Sequence, residues 1–225
     1  MSLLSIFSCS KKVSSYPQDK YTAKDGTEIT FTFYAHASIA INALGRQIYV
    51  DPVGESINWA GEPEADIVLV THDHFDHLDT AAIRILNGTG DYVRMKPGDV
   101  STPFDGIEIE AVPAYNISEG QLDFHPQVRG DAGYILNIGG SRIYVSGDTE
   151  DNDDVLALKD IDVAFICVNQ PYTMKVEQCV RVVKALKPAV FYPYHFGGSP
   201  GYCTDLEALG SAVEGMTEIR IKDLE

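Results

Sequence analysis

Basic residues, cysteine and long apolar runs are all scarce in this sequence, and each shortage excludes something. Its 225 residues carry 17 Lys plus Arg against 33 Asp plus Glu, a formal charge of −16. So acidic a chain offers no broad basic face to a phosphate backbone, and nucleic acid is not an expected partner. The four cysteines, Cys9, Cys167, Cys179 and Cys203, form no CxxC pair and share no regular spacing. That excludes a zinc ribbon and a disulfide framework and leaves buried reduced thiols as the expectation. No uninterrupted apolar stretch approaches the ~18 residues of a membrane span, so no transmembrane segment is expected. With 44% hydrophobic and 22% charged residues, the chain still has the composition of a protein that buries a core. Its length suits one α/β domain over residues 27–225.

Residues 1–26 read as a lead-in. Met1 to Phe7 is a short apolar run with no basic residue before it, followed by Ser8-Cys9-Ser10-Lys11-Lys12. As it stands this is too short for a secretory signal, which points to the cytoplasm. The run also looks like the tail of a lipoprotein signal, and the protein would be anchored at a lipidated Cys9 if the true start lay upstream. An untethered terminus is the plainer alternative.

Short strands are predicted at Ile29–Phe33, Ser38–Ile41 and Gln47–Val50, with Gly45 at the turn between the last two. Ile67–Val70 is a continuous apolar run of the kind buried on both faces. A helix is predicted from Thr80 to Leu86, stopped by Asn87-Gly88. Strands follow at Ile107–Val112, Gly133–Ile138 and Arg142–Val145, the last two joined across Gly139-Gly140 as a hairpin. Val163–Val168 reads as another buried strand. The next helix carries Val176, Cys179, Val180, Val183 and Leu186 on one stripe, with Pro188 as its stop. Val190–Tyr192 is a strand, Thr204-Asp205-Leu206-Glu207 has the form of a capping box, and Ile219 and Ile221 suggest a closing strand. The pattern is mixed α/β with more than one sheet.

The strongest chemical signal is His72-x-His74-x-Asp76-His77, directly after the Ile67–Val70 run. Three of the six histidines fall in this six-residue window, too dense a cluster to be a chance polar loop. An irregular loop can aim such neighbours at one point, where a helix or strand would send them in different directions. Neutral imidazole and carboxylate suit a divalent transition metal. Two ions fit, with His72 and His74 on one and Asp76 and His77 on the other. Asp148, in Ser146-Gly147-Asp148-Thr149, and His195, in Tyr194-His195-Phe196-Gly197, also end apolar strands. Ligands at strand ends from distant parts of a chain can converge on one edge of a sandwich.

Together these motifs resemble the metallo-β-lactamase superfamily, whose defining pattern is HxHxDH after a core strand. The likeness runs from about Phe33 to Gly197. Tyr34-Ala35-His36-Ala37-Ser38 and Tyr49-Val50-Asp51-Pro52 look like the opening of the branch that contains ascorbate-6-phosphate lactonase and many metal-dependent hydrolases. The resemblance implies a four-layer αββα sandwich of two mixed sheets flanked by helices. It implies that Asp148 bridges two metals and that His195 binds the second. It also implies a further histidine on the first metal, for which His125 and Asn116 are the candidates. His125 is preferred because an amide oxygen is a poor zinc ligand. His36, Asp51 and Asp79 are candidates for orienting ligands or meeting substrate. Asp79 could equally cap the helix that follows it, and Asp51 could be a turn residue.

Two divalent ions, zinc first and manganese or iron as alternatives, would acidify a shared water and supply a bridging hydroxide at neutral pH. Asp76 would hold a metal and orient that nucleophile as the catalytic residue. The expected function is hydrolysis of a small ester, lactone or phosphoester, anionic ones included, because the metals would offset the acidic exterior locally. A phosphodiesterase acting on nucleotides or lipid head groups is the alternative within hydrolysis, and a di-iron redox or metal-binding protein the alternative outside it. Tyr172, Tyr192 and Tyr194 are near enough in sequence to line a site, though aromatics beside strands are more often core.

Overall fold

Period-two alternation sorts the N-terminal strands between two layers. In the computed structural model, which describes residues 12–197, 203–222 and 224, one sheet is built from β1 (Gln18–Thr22), β2 (Glu28–Ala35), β3 (Ser38–Ala43), β4 (Arg46–Val50) and β5 (Ile67–Leu69), in that order. Its pairs are antiparallel except β4 with β5, which is parallel. Ile39, Ile41, Ile48, Val50 and Leu69 join Phe31 and Phe33 in the core between the sheets. Their neighbours Ala40, Tyr49 and Val68 face the other way, onto Ala82, Ile83 and Leu86 of helix α1 (Thr80–Asn87) and onto Trp59. Ile83 is fully buried there, a burial that contributes on the order of 2 kcal/mol.

The second sheet holds β6 (Val100–Phe104), β7 (Ile107–Pro113), β8 (Ala132–Ile138), β9 (Ser141–Val145), β10 (Val163–Cys167), β11 (Val190–Tyr194) and β12 (Glu218–Ile219), again in chain order. It runs antiparallel from β6 to β9 and parallel from β9 to β12. A parallel pair needs a crossover. Helix α2 (Asp153–Leu156) lies between β9 and β10, α3 (Val176–Leu186) between β10 and β11, and α4 (Leu206–Ala212) between β11 and β12. The α3 stripe buries Cys179, Val180, Val182, Val183 and Leu186. Where the sheets face each other, Phe31 and Phe33 of β2 meet Phe165 and Tyr192, with ring centroids 5.1 Å apart for Phe31–Phe165 and 5.2 Å for Phe33–Tyr192. The architecture is the expected sandwich of two mixed sheets with helices outside. Among the described residues no helix is long and apolar enough to cross a membrane. Cys9 lies outside the described residues; Cys167 and Cys179 are buried, as expected, whereas Cys203 is exposed.

Several local readings change. The second half of the polar lead-in is strand β1, an edge strand whose outward residues are exposed, so it carries no apolar alternation. Strand β6, the other sheet's edge, contains Pro103, which an edge tolerates. Thr204 is not the cap of α4. Asp205 is, accepting the Ala208 N–H, while the Thr204 hydroxyl donates to the Val168 carbonyl and ties this helix to the end of β10. The closing strand is only Glu218–Ile219, and Ile221 is exposed.

Asp79 caps α1: its carboxylate accepts the Ala81 and Ala82 N–H groups. Asp79→Ala is expected to cost about 1 kcal/mol in chemical denaturation and to leave bound metal unchanged. Loss of metal in that variant would contradict a purely capping role.

Candidate metal centre

Parallel pairing aligns strand ends, and here it builds the site. Because β4 and β5 run together, Asp51 and the Thr71–His77 loop leave the first sheet on the same side. Because β9, β10 and β11 run together, Asp148, Asn169 and His195 leave the second sheet at one edge. The β2–β3 turn adds His36, and the long connection from β7 to β8 adds His125.

The result is a convergence of all six histidines of the chain. One nitrogen each of His72, His74 and His125 lies within 4.8 Å of the others, and His72 Nε2 is 3.0 Å from His74 Nδ1. A second group comprises His36, Asp76, His77 and His195, and a third, His72, His77 and Asp148, joins the two. Asp148 is central: Oδ2 lies 3.3 Å from His125 Nε2, and Oδ1 lies 3.3 Å from His77 Nε2 and 3.6 Å from His195 Nε2. The structure therefore brings together His72, His74, Asp76, His77, His125, Asp148 and His195, and adds His36 to the second group. It turns Asn116 elsewhere, its amide donating to the carbonyls of Gln121 and Tyr172.

Burial governs the charges. It holds His72, His74 and His195 below the ordinary imidazole range and lowers His125 to about 4, so these rings are neutral and keep a free lone pair. Burial also opposes a charge on His77, but the flanking Asp148 and Asp51 carboxylates prevail and raise it well above that range. Asp148 resists its own burial because His195 and His77 keep it ionised, and Asp76 is likewise held low by His195 and His36. Without a metal, His77 carries the proton that balances the two carboxylates, and it must release that proton to become a ligand.

Whether the residues fit a metal is tested by atoms left without partners. Among the described residues, His77 Nε2, His195 Nε2 and Asp148 Oδ1 are buried and have no hydrogen bond. Buried polar atoms are rarely left so, and three of them converging from two sheets would all be satisfied by a cation. The donor set, imidazole and carboxylate, suits a divalent transition ion.

Surrounding groups fix the ligands. The fully buried Asp51 carboxylate accepts from Thr71 N–H at 2.8 Å, from the Thr71 hydroxyl at 2.6 Å and from His77 Nδ1 at 2.8 Å. This holds the Nδ1 proton of His77 on Asp51 and aims Nε2 at Asp148. Sequence reasoning missed Asn169, whose side-chain amide is 3.0 Å from His195 Nδ1. The partner atom is Asn169 Nδ2, and this contact fixes the orientation of the His195 ring. Its only sequence signal was its place just after a buried strand. Arg129, also missed, stands 2.6 Å from His74 Nε2 and is bonded to Asp73 and Asp131. Arg94 bonds the same two carboxylates.

Backbone strain concentrates here as well. Of six described non-glycine residues with positive φ, three are His36 (56°), Asp51 (46°) and His195 (48°). His36 and His195 are interlocked, the His195 N–H donating to the His36 carbonyl at 3.1 Å. Gly147, at φ +59°, precedes Asp148, and a Cβ there would come within 3.1 Å of Thr71. Of the tyrosines near the motifs, Tyr172 lines the pocket beside the cluster, whereas Tyr192 and Tyr194 are buried core.

Comparison with known proteins places this geometry in a family. A sequence model described as a β-lactamase superfamily domain matches residues 30–195. A UPF0173 metal-dependent hydrolase from Pelotomaculum thermopropionicum is 30% identical, covering 86% of this chain and 95% of its own length. A crystal structure described as a metal-dependent hydrolase from Parabacteroides distasonis is 38% identical, with a TM-score of 0.86 over 93% of this chain and 100% of that one. Igni18, a metallo hydrolase from Ignicoccus hospitalis, shares the fold at 20% identity, with a TM-score of 0.73 over 87% of this chain and 95% of its own. This chain belongs to the metallo-β-lactamase superfamily. Within it, the chain falls in the class of metal-dependent hydrolases.

Asp51→Asn keeps the shape but removes the charge that holds His77. Metal affinity, measured by competition with a chelator, is expected to fall roughly 10- to 100-fold. Unchanged affinity would show that Asp51 only supports the turn before Pro52.

Proposed function

We propose that the protein hydrolyses a small ester, lactone or phosphoester with two divalent ions, zinc first. His72, His74 and His125 would hold one ion, Asp76, His77 and His195 the other, and Asp148 both. When bound, such ions acidify water and polarise the scissile group. The chain's own residues do the rest. Neutral imidazoles supply lone pairs without shedding protons, except for His77, which would have to give up its Nε2 proton to serve as a ligand. Asp76 is ionised and partly exposed, with Oδ2 3.2 Å from His36 Nε2, and can hold the attacking nucleophile by accepting its hydrogen bond. His36, at the pocket wall, steadies that carboxylate. The reading rests above all on His77 Nε2, His195 Nε2 and Asp148 Oδ1, buried atoms that converge on one point and make no hydrogen bond.

Elemental analysis of protein purified without added metal tests it. About two equivalents per chain are expected, and they should be lost in a His74→Ala, Asp148→Ala double variant. Zinc or manganese favours hydrolysis. A folded, metal-free protein that takes up no added zinc would overturn the proposal.

A further inference from the structure

The pocket that opens onto the cluster has a volume of about 430 Å³, within the range of small-molecule sites. Its wall away from the histidines and carboxylates is aromatic. Phe124 and Tyr172 stand edge to face, with ring centroids 5.0 Å apart, and both are half-buried. Phe75 stands at the same pocket and is 90% exposed, an unusual cost for so large an apolar side chain inside a ligand loop. The connection that carries Phe124 and His125 also exposes Ile117, Leu122 and Val128.

No lysine or arginine lines this pocket among the described residues. Arg129 and Arg94, the cations on the His74 side of the cluster, are committed to Asp73 and Asp131. The wall instead includes Asp76 and Asp148, in a protein of net charge −16. Bound metals could neutralise one charge at the reacting group. A second phosphate or carboxylate on the substrate would meet carboxylates and aromatic faces with no cation to receive it.

We propose that the substrate is an uncharged carboxylic ester or lactone bearing an aryl or alkyl group, which packs against Phe75, Phe124 and Tyr172. The substrate class rests on the hydrolytic reading above; the pocket's preference for a neutral apolar group can be tested apart from it. Each methylene buried against this wall improves binding about fourfold.

Metal-loaded protein is assayed with matched pairs: γ-decalactone against γ-butyrolactone, p-nitrophenyl butyrate against p-nitrophenyl hemisuccinate, and bis(p-nitrophenyl) phosphate beside them. γ-Decalactone over γ-butyrolactone, and the neutral butyrate ester over the charged hemisuccinate, are each expected to have a kcat/KM higher by about tenfold or more. In Phe75→Ser the decalactone to butyrolactone ratio should fall about tenfold. Binding of 4-phenylbutanamide and its para-carboxylate analogue to metal-free protein, by calorimetry, gives a readout independent of turnover, and the neutral amide should bind more tightly. Equal or faster turnover of the charged ester, or a preference for the phosphodiester, overturns the substrate class and leaves the hydrolase reading intact. No hydrolysis of any probe, with the neutral amide still preferred, overturns the hydrolase reading and supports the apolar pocket. Equal binding of the two amides overturns the pocket assignment itself.

Discussion

A carboxylate buried among imidazoles is the constraint on which the rest depends. Asp148 is almost wholly inaccessible, yet the His195 and His77 rings beside it hold its carboxyl well below the ordinary range. Removing one charged partner from such a buried group typically costs 3–5 kcal/mol. The fold keeps Asp148 by delivering histidines from three separate segments to the same point. In the metal-free state the His77 proton supplies the balance; a cation would supply it together with a partner for His195 Nε2, which makes no hydrogen bond.

The sandwich provides this delivery through parallel strands. Two short parallel arrangements, one in each sheet, turn strand ends toward a common edge, and left-handed residues at His36, Asp51 and His195 bend the chain into the site immediately after the strands stop. Asp51, Asn169 and Arg129 then fix the rings of His77, His195 and His74. The aromatic side of the pocket has a different origin: it comes from the HxHxDH loop itself through Phe75 and from irregular connections through Phe124 and Tyr172. Chemistry is held by strand ends, and recognition is left to loops.

Much of this was legible in the sequence, for physical reasons that also explain what was not. Ile67–Val70 and Val163–Val168 are continuous apolar runs because both faces of those strands are covered, and the α3 stripe is plain because one face of that helix meets the core. β1 and β6 were invisible because edge strands in contact with solvent need no apolar alternation. The Thr204 pattern misled because Thr204 and Asp205 are both good caps, and only the backbone decides which begins α4. In the site, the clustered histidines announced themselves. The choice between His125 and Asn116 depended on how an irregular connection folds back, with Asn116 N–H donating to the His125 carbonyl so that one residue faces the cluster and the other turns away. Asn169 had no spacing to mark it, since its partner His195 is reached only through the pairing of β10 with β11.

We propose that this convergence holds two metal ions. Anomalous diffraction at the absorption edge of the metal found in protein purified without additions locates the ions directly. The account predicts two peaks about 3.5–4 Å apart, one beside His72, His74 and His125 and one beside Asp76, His77 and His195, with Asp148 between them. Diffraction that shows no peak within this ring of side chains, or a metal held only elsewhere on the molecule, would contradict it.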